Sequence, residues 1–209
     1  MGCGSGGLLV AAAGRGREIV GTDIALRWLI IARRRLADRG LVVPLIGASA
    51  ERLPWPAGVF DAVVADSVLE HLDDPLTALR EWARVVRPGG RLVLWSPNRH
   101  SLLADPHVGL WGVGWLPRPW ADLYVRARRG CGWTIRPLNA NEAKGLATAA
   151  GWEQVAAEAV EVPQEWARGR WERLAIRIYR EALRVPVGRS LMRALGPLWQ
   201  LTAYRGGAS

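Results

Sequence analysis

The chain has 209 residues, half of them hydrophobic, and a formal net charge of +9. A chain of that length can bury a full α/β core unaided, and its two cysteines, Cys3 and Cys131, form no CxxC pair, which excludes a disulfide scaffold and suits a reducing cytoplasm. No apolar run reaches the about 20 residues of a membrane-spanning helix, and Met1-Gly2-Cys3-Gly4-Ser5-Gly6-Gly7 lacks the charged start and apolar centre of a signal peptide.

The positive balance is almost wholly arginine, with Lys144 the one lysine. It concentrates late: from Pro163 onward nine arginines face Glu165, Glu172 and Glu181. No RRM, KH or helix-turn-helix pattern accompanies it, so nucleic acid is not the expected partner.

Short apolar strands alternate with helical stretches through the first half, the pattern of a parallel sheet covered by helices on both faces. Residues 6–13 read as a helix opening straight from a glycine loop, and residues 18–21 as a strand ending at Thr22-Asp23. Residues 25–39 have helical spacing, with Leu26, Leu29, Ile30 and Leu36 inward and Arg33, Arg34, Arg35 and Arg39 mostly outward. Strands are predicted over 41–46 and 60–65, a helix over 76–86 stopped by Pro88-Gly89-Gly90, and a strand over 91–95. Residues 96–138 lose periodicity and are rich in Trp, Pro, Gly and Arg. A helix over 141–150, a strand over 152–160, a long helix over 164–185, a shorter one over 189–195 and a final strand over 198–204 complete the pattern.

The glycines of Gly2-Cys3-Gly4-Ser5-Gly6-Gly7 permit backbone angles and close approaches that side chains forbid. At a helix N-terminus they let amides meet a nucleotide-like cofactor. Asp23 follows about 20 residues on, where a carboxylate can accept both hydroxyl hydrogens of a ribose; its plainer role is to cap the helix that starts at Ala25. The run also satisfies G-x-G-x-x-G, so both features suit a nicotinamide dinucleotide as well. No Tyr-Lys or similar pair supports an oxidoreductase.

The middle of the chain separates the two. Ser49-Ala50-Glu51-Arg52-Leu53-Pro54-Trp55-Pro56, Phe60-Asp61-Ala62-Val63-Val64-Ala65, Val68-Leu69-Glu70-His71-Leu72 and Arg84-Val85-Val86-Arg87-Pro88-Gly89-Gly90-Arg91-Leu92 resemble successive motifs of the methyltransferase type 11 family, in order and separation, over residues 1–98. Gly151-Trp152 is similar to the Gly-Phe that opens that family's sixth strand. The resemblance implies a class I S-adenosylmethionine-dependent methyltransferase: an α/β, Rossmann-like sheet of seven strands, parallel except for one antiparallel strand, with helices on both faces. It implies one domain over 1–209, with a cofactor-binding half at 1–98, a lid or acceptor segment at 99–140, and a C-terminal half at 141–209 carrying a helical insertion near 164–195.

Carried over position by position, Gly2, Cys3, Gly4 and Gly6 would lie against the methionine part of the cofactor. Asp23 would bind the ribose and Ile24 pack on the adenine. Ser49 and Ala50 would edge the adenine, and Ala65 and Asp66 would sit beside the methionine arm. Two departures stand out. The family usually has Asp at Ser49, to accept a bond from the adenine amino group, and a serine oxygen is shorter and uncharged. The family's first strand, with its acidic residue two places before the first glycine, has no counterpart, so the natural protein is expected to begin earlier.

Methyl transfer from a sulfonium is an in-line displacement, for which the protein must align the nucleophile and, for a hydroxyl, remove its proton. The spacing of His, Cys, Asp and Glu offers no metal site, and none is required. The candidate bases are His107, in the segment where this family builds its acceptor pocket, His71, whose plainer role is structural, and His100. Trp111, Trp115, Trp120, Trp133 and Tyr124 either pack a small lid, line an apolar acceptor pocket or touch lipid. Arg170, Arg173, Arg177, Arg180 and Arg184 take one side of the late helix and Trp171, Leu174, Ala175, Ile178 and Ala182 the other. Such a helix rests on an anionic membrane or packs its apolar side on the sheet. The expected function is transfer of a methyl group to oxygen on a small or lipid-like acceptor, in the cytoplasm or peripherally at the inner membrane face. The rival is a catalytically silent module that binds a membrane surface or a partner.

Overall fold

The computed structural model describes residues 1–167 and 169–207. The first strands are β1 (Gly21–Asp23), β2 (Leu45–Gly47), β3 (Phe60–Asp66) and β4 (Val86–Pro97), followed by β5 (Trp152–Ala159) and β6 (Leu198–Arg205). β1 and β2 pair in parallel as one sheet. The other four stand in the order β3-β4-β6-β5, with β3 and β4 parallel and β6 antiparallel to both its neighbours. One strand therefore runs against the rest, as the resemblance implies; among the described residues the six strands read from the sequence are present, but they form two sheets where one was expected. Residues 1–3 tie the two together: the Met1 amino group donates to the Val64 carbonyl of β3 (2.7 Å), and the Cys3 amide donates to the Thr22 carbonyl of β1 (2.8 Å).

The strands predicted over 18–21 and 41–46 shrink to three residues each and shift toward their C-terminal ends. Ladder pairing sets strand limits, and Pro44 has no amide to offer; it gives only its carbonyl, to the Gly21 amide (2.9 Å). Helix α1 (Gly7–Ala13) opens from the glycine loop, and α2 (Leu26–Ala37) packs on β1 and β2. The buried stripe of α2 is Leu29, Ala32 and Leu36; Leu26 and Ile30, expected inward, are exposed. A two-stranded sheet covers only a narrow i, i+3, i+7 stripe.

Helix α3 (Pro75–Val85) starts where the Asp74 carboxylate accepts the Thr77 amide and Pro75 takes the first turn. Its buried face, Ala78, Leu79, Trp82 and Val85, joins the main core with Leu92, Leu94, Trp152, Trp199 and Leu201. The three indoles of this core all donate: Trp82 to the Ala50 carbonyl, Trp152 to Leu79 and Trp199 to Leu138, each at 3.0 Å. The helix stops before Pro88-Gly89-Gly90 because Val86 already pairs with Phe60.

Residues 99–138 hold a helix the sequence pattern concealed, α4 (Arg118–Arg129). Ala121 and Val125 enter a small core with Leu110, Val113, Trp133 and Ile135, Tyr124 packs against it, and Trp120 and Leu123 stay exposed, so the apolar positions do not mark out one buried stripe. Arg118 pins the segment by donating to the carbonyls of Ile135 (2.6 Å) and Trp133 (2.7 Å). Helix α5 (Ala140–Ala149) begins with a capping box between Asn139 and Glu142.

The long helix predicted over 164–185 is a 3-10 turn at Gln164–Trp166 followed by α6 (Arg170–Leu183), with Arg168 outside the described residues. Helix α7 (Pro186–Leu195) follows. α6 packs on α7 and the turn, and α7 packs on β5. The core face of α6 is Ile176 and Tyr179, while Trp171, Leu174 and Ile178 are 69%, 45% and 62% exposed. The apolar side expected to lie on the sheet faces outward, because α6 meets a helix and not a sheet.

Candidate cofactor and acceptor site

The glycine loop is built from left-handed backbone. Gly2, Gly4 and Gly6 have φ of 58°, 48° and 78°, a region that costs an ordinary residue about 1–2 kcal/mol. A Cβ on Gly2 would stand 2.3 Å from Val68 Cγ2, and one on Gly6 3.0 Å from Ala32 Cβ, so these two glycines let the loop close on its surroundings. Gly4 differs: nothing lies within 4 Å of its Cβ position. The loop folds on itself through the Gly6 amide to the Cys3 carbonyl (2.9 Å). Arg35 of α2 clamps it by donating to Ser5 Oγ (2.9 Å). Burial, then the Asp23 charge, push the half-buried Cys3 thiol up, which keeps it protonated.

Asp23 is the junction. Its Oδ2 accepts the Gly4 amide (2.9 Å), and its Oδ1 accepts the Ala25 amide (2.9 Å) at the start of α2. Its carbonyl accepts the Ala48 amide (3.2 Å), which brings in the turn carrying Ser49 and Ala50. Ser49 Oγ accepts the Glu51 amide (3.2 Å), and the Ala50 carbonyl is held by Trp82. Ala65 is buried at the end of β3, with Asp66 exposed beside it. Ile24 is 79% exposed. Gly2, Gly4, Asp23, Ser49 and Ala50 thus belong to one connected surface, and Gly2 reaches the β3 side through Val68.

A second group lies just past the C-terminal ends of β3 and β4. Glu70 has a fully buried side chain whose Oε2 accepts from Ser96 Oγ (2.9 Å), while Oε1 has no partner. Burial pushes its carboxyl up from the usual range. His107 comes from the 99–138 segment, with Nε2 3.8 Å from Glu70 Oε1 and Nδ1 3.7 Å from Asp105 Oδ1. The Asp105 carboxylate holds the His107 pKa above the ordinary histidine value. His71 lies edge-to-face on His107, ring centroids 5.1 Å apart, and burial, then the His107 charge, lower its pKa. His100 packs instead against Trp115. Of the tryptophans, Trp133 is buried, whereas Trp111, Trp115 and Trp120 are exposed. Two surface cavities lie elsewhere, one of about 460 Å³ beside Arg118 and Arg126 and one of about 330 Å³ beside Glu161 and Arg180.

The family model described as Methyltransferase domain matches residues 1–94. A ubiquinone biosynthesis O-methyltransferase of Cereibacter sphaeroides is 34% identical over 120 residues, covering 56% of this chain and 49% of that protein. Residues 1–94 thus resemble a methyltransferase domain. A demethylmenaquinone methyltransferase of Thermus thermophilus is 43% identical over 93 residues, 44% of this chain and 42% of that protein. The chain thus spans about half the length of the curated relatives it matches. Among solved structures, phosphoethanolamine N-methyltransferase 2 of Haemonchus contortus in complex with S-adenosyl-L-methionine superposes with a TM-score of 0.65 at 17% identity, covering 98% of this chain and 47% of that one. The cyclase SpnF superposes with a TM-score of 0.64 at 22% identity, covering 99% and 74%. These likenesses establish the fold, and the presence of a cyclase among them means that the fold alone names no reaction. Both of these curated relatives carry catalytic names, which gives the silent-module reading no support.

S-adenosyl-L-methionine is bound in the Haemonchus contortus structure, and the residues present here fit that molecule. The open space over Gly4 leaves the loop backbone free to meet a ligand. A carboxylate offers about four acceptor positions, and Asp23 spends two on amides, so two hydroxyls can still be held. Ile24 presents an apolar face for a base. The fit is weakest at Ser49, whose oxygen is already engaged by its own turn. Sequence reasoning passed over Glu70, Asp105 and Arg35. Glu70 is an acid among the apolar residues Val68, Leu69 and Leu72, which is the signal that could mark it. Arg35 is indistinguishable from the outward arginines of its helix.

Proposed function

We propose that this chain transfers a methyl group from S-adenosylmethionine to a hydroxyl of a small, lipid-like ring acceptor of the quinone-precursor type. The observation that carries this reading is the Gly4–Asp23 hydrogen bond (2.9 Å), which joins the glycine loop and the ribose-binding carboxylate on one surface. The relatives named for ubiquinone and menaquinone methylation support the acceptor class. The cofactor supplies an activated methyl on a sulfonium. Gly2, Cys3, Gly4 and Gly6 hold its methionine end with Ala65 and Asp66; Asp23 takes the ribose; Ile24, Ser49 and Ala50 enclose the adenine.

The acceptor's proton falls to the Glu70–His71–His107 group. His107 is its most basic nitrogen centre, since Asp105 raises its pKa, and its ring is one-quarter open to solvent. His71 positions His107 by packing on it. Residues 1–209 act as one unit in which 1–98 hold the cofactor, 99–140 cover the acceptor and 141–209 complete the sheet. Among the described residues no helix is long and apolar enough to cross a membrane. The outward ridge Trp171, Leu174 and Ile178, beside Arg170, Arg173 and Arg177, rests on an anionic membrane face and gives access to a lipid-like acceptor. The test is label transfer from methyl-tritiated cofactor to a prenylated catechol and to a demethylmenaquinol. Label on the catechol oxygen is the expected product; label on neither acceptor removes the acceptor class proposed.

A further inference from the structure

The Glu70 side chain is fully buried, yet only one of its two oxygens is satisfied. Buried carboxylate oxygens are nearly always paired, because desolvating a charge without a partner is costly. The nearest groups to the orphan Oε1 are imidazoles. One ligand atom each from Glu70, His71 and His107 lie within 4.8 Å of one another, with His107 Nε2 3.8 Å from Oε1. The two rings meet at 77°, so their nitrogens can converge without stacking face to face.

We propose that Glu70, His71 and His107 form a binding site for one divalent first-row transition-metal ion of the zinc and cobalt class. Two imidazoles and one carboxylate are the donor set such ions take, with water or substrate at the open position; calcium and magnesium prefer all-oxygen sites. Ligand bonds of about 2.0–2.2 Å place tetrahedral donors closer together than they stand here, so the two surface imidazoles draw in by about 1 Å on binding. The surroundings are those of a supported site. Asp105 Oδ1 stands 3.7 Å from His107 Nδ1 and is itself fixed by the amides of His107 (2.9 Å) and Val108 (3.1 Å), an orienting carboxylate on the nitrogen that faces away from Glu70. The Glu70 backbone is held by the Arg136 amide (2.7 Å) and its second oxygen by Ser96. The sequence shows no ligand spacing because residues 70 and 107 come from separate loops that only the fold brings together.

The inference rests on the reading above in one respect, that this group handles the acceptor hydroxyl. A coordinated cation would lower the pKa of a hydroxyl bound to it, so that in the metal-loaded protein the proton would leave to solvent and His107 would serve as a ligand in place of the base. The experiment uses chelator-treated protein with neither cofactor nor acceptor: Zn²⁺ is titrated by calorimetry, and Co²⁺ is followed by its visible ligand-field absorption. One ion binds per chain, and His107→Ala and Glu70→Gln each weaken binding by about 100-fold or more, against about 10-fold for Asp105→Asn. Binding survives the double variant Cys3→Ser, Cys131→Ser, which removes the two thiols. No saturable binding by the unaltered chain, or binding untouched by both His107→Ala and Glu70→Gln, overturns the site. Glu70→Gln keeps the buried shape and His107→Ala changes a surface loop, so thermal melts of both verify folding. The readout is the metal, so a negative result here leaves methyl transfer standing, and a failed transfer assay leaves the metal result intact.

Discussion

Gly4→Ala separates what the glycine loop needs in order to fold from what it needs in order to bind. Gly4 and Gly16 both hold a left-handed φ, 48° and 69°, and neither has anything within 4 Å of its Cβ position. In each, alanine pays about 1–2 kcal/mol for the backbone, offset in part by about 0.4–1 kcal/mol from the stiffer unfolded chain. Both variants therefore lose about 1 kcal/mol, a fall of about 2–4 °C in Tm for a domain of this size. Binding divides them. A methyl group set into the space over Gly4 meets the cofactor, and overpacking of that kind costs about 1–3 kcal/mol, or about 5- to 150-fold in affinity. Gly16 lies beyond α1 and leaves affinity unchanged. Thermal melts and calorimetric titration with S-adenosylhomocysteine read the two quantities. Equal affinity for both alanine variants would mean that the opening over Gly4 holds no ligand.

Arg35→Ala removes the clamp on Ser5; we expect cofactor affinity to fall about 5- to 10-fold, from about 1 kcal/mol, with the circular dichroism spectrum kept, and an unchanged affinity would show the loop to be self-supporting. Glu81→Ala strands the Leu53 amide, which donates to it at 2.7 Å, and frees Arg84, so urea melts should show a loss of about 1–3 kcal/mol. The Arg84 hydrogen bond holds the Glu81 carboxyl below the ordinary value, so this contribution is complete above the usual carboxylate range and vanishes as pH falls through the lowered folded value; a gap between wild type and variant that is as wide at pH 2 as at pH 7 contradicts the assignment. The double variant Trp171→Ser, Ile178→Ser should leave stability within about 0.5 kcal/mol while abolishing sedimentation with phosphatidylglycerol vesicles; sedimentation equal to that of the unaltered chain moves the membrane face elsewhere.

Much of the central sheet was legible because its strands are apolar runs closed by Pro-Gly or Gly-Trp signals. Strands over 60–66, 152–159 and 198–205 stand within two residues of their predicted limits. What was illegible depends on partners. β1 and β2 contract because each pairs only with the other, and α6 turns its apolar ridge outward because it meets α7. α4 is obscured by Trp120 and Leu123, apolar residues that stay exposed and blur the buried stripe of Ala121 and Val125. At the site, Gly4 and Asp23 could be named as candidates from spacing, as the glycine bend and the acid beyond it carry their own chemistry, whereas Ala50 came only with the family resemblance. The pairing of Glu70 with His107 could not be named, because a contact across 37 positions between two loops has no local signature.

The proposed cofactor site requires Asp23 and the glycine loop to act together. Calorimetric titration of wild type and Asp23→Ala with S-adenosylmethionine tests it most directly, with Asp23→Asn as the variant that keeps one acceptor oxygen. Two charge-assisted hydrogen bonds to ribose hydroxyls at about 1.5–3 kcal/mol each predict single-site binding that falls by about 100-fold or more in Asp23→Ala and less in Asp23→Asn. Saturable binding of equal strength in wild type and Asp23→Ala would contradict it.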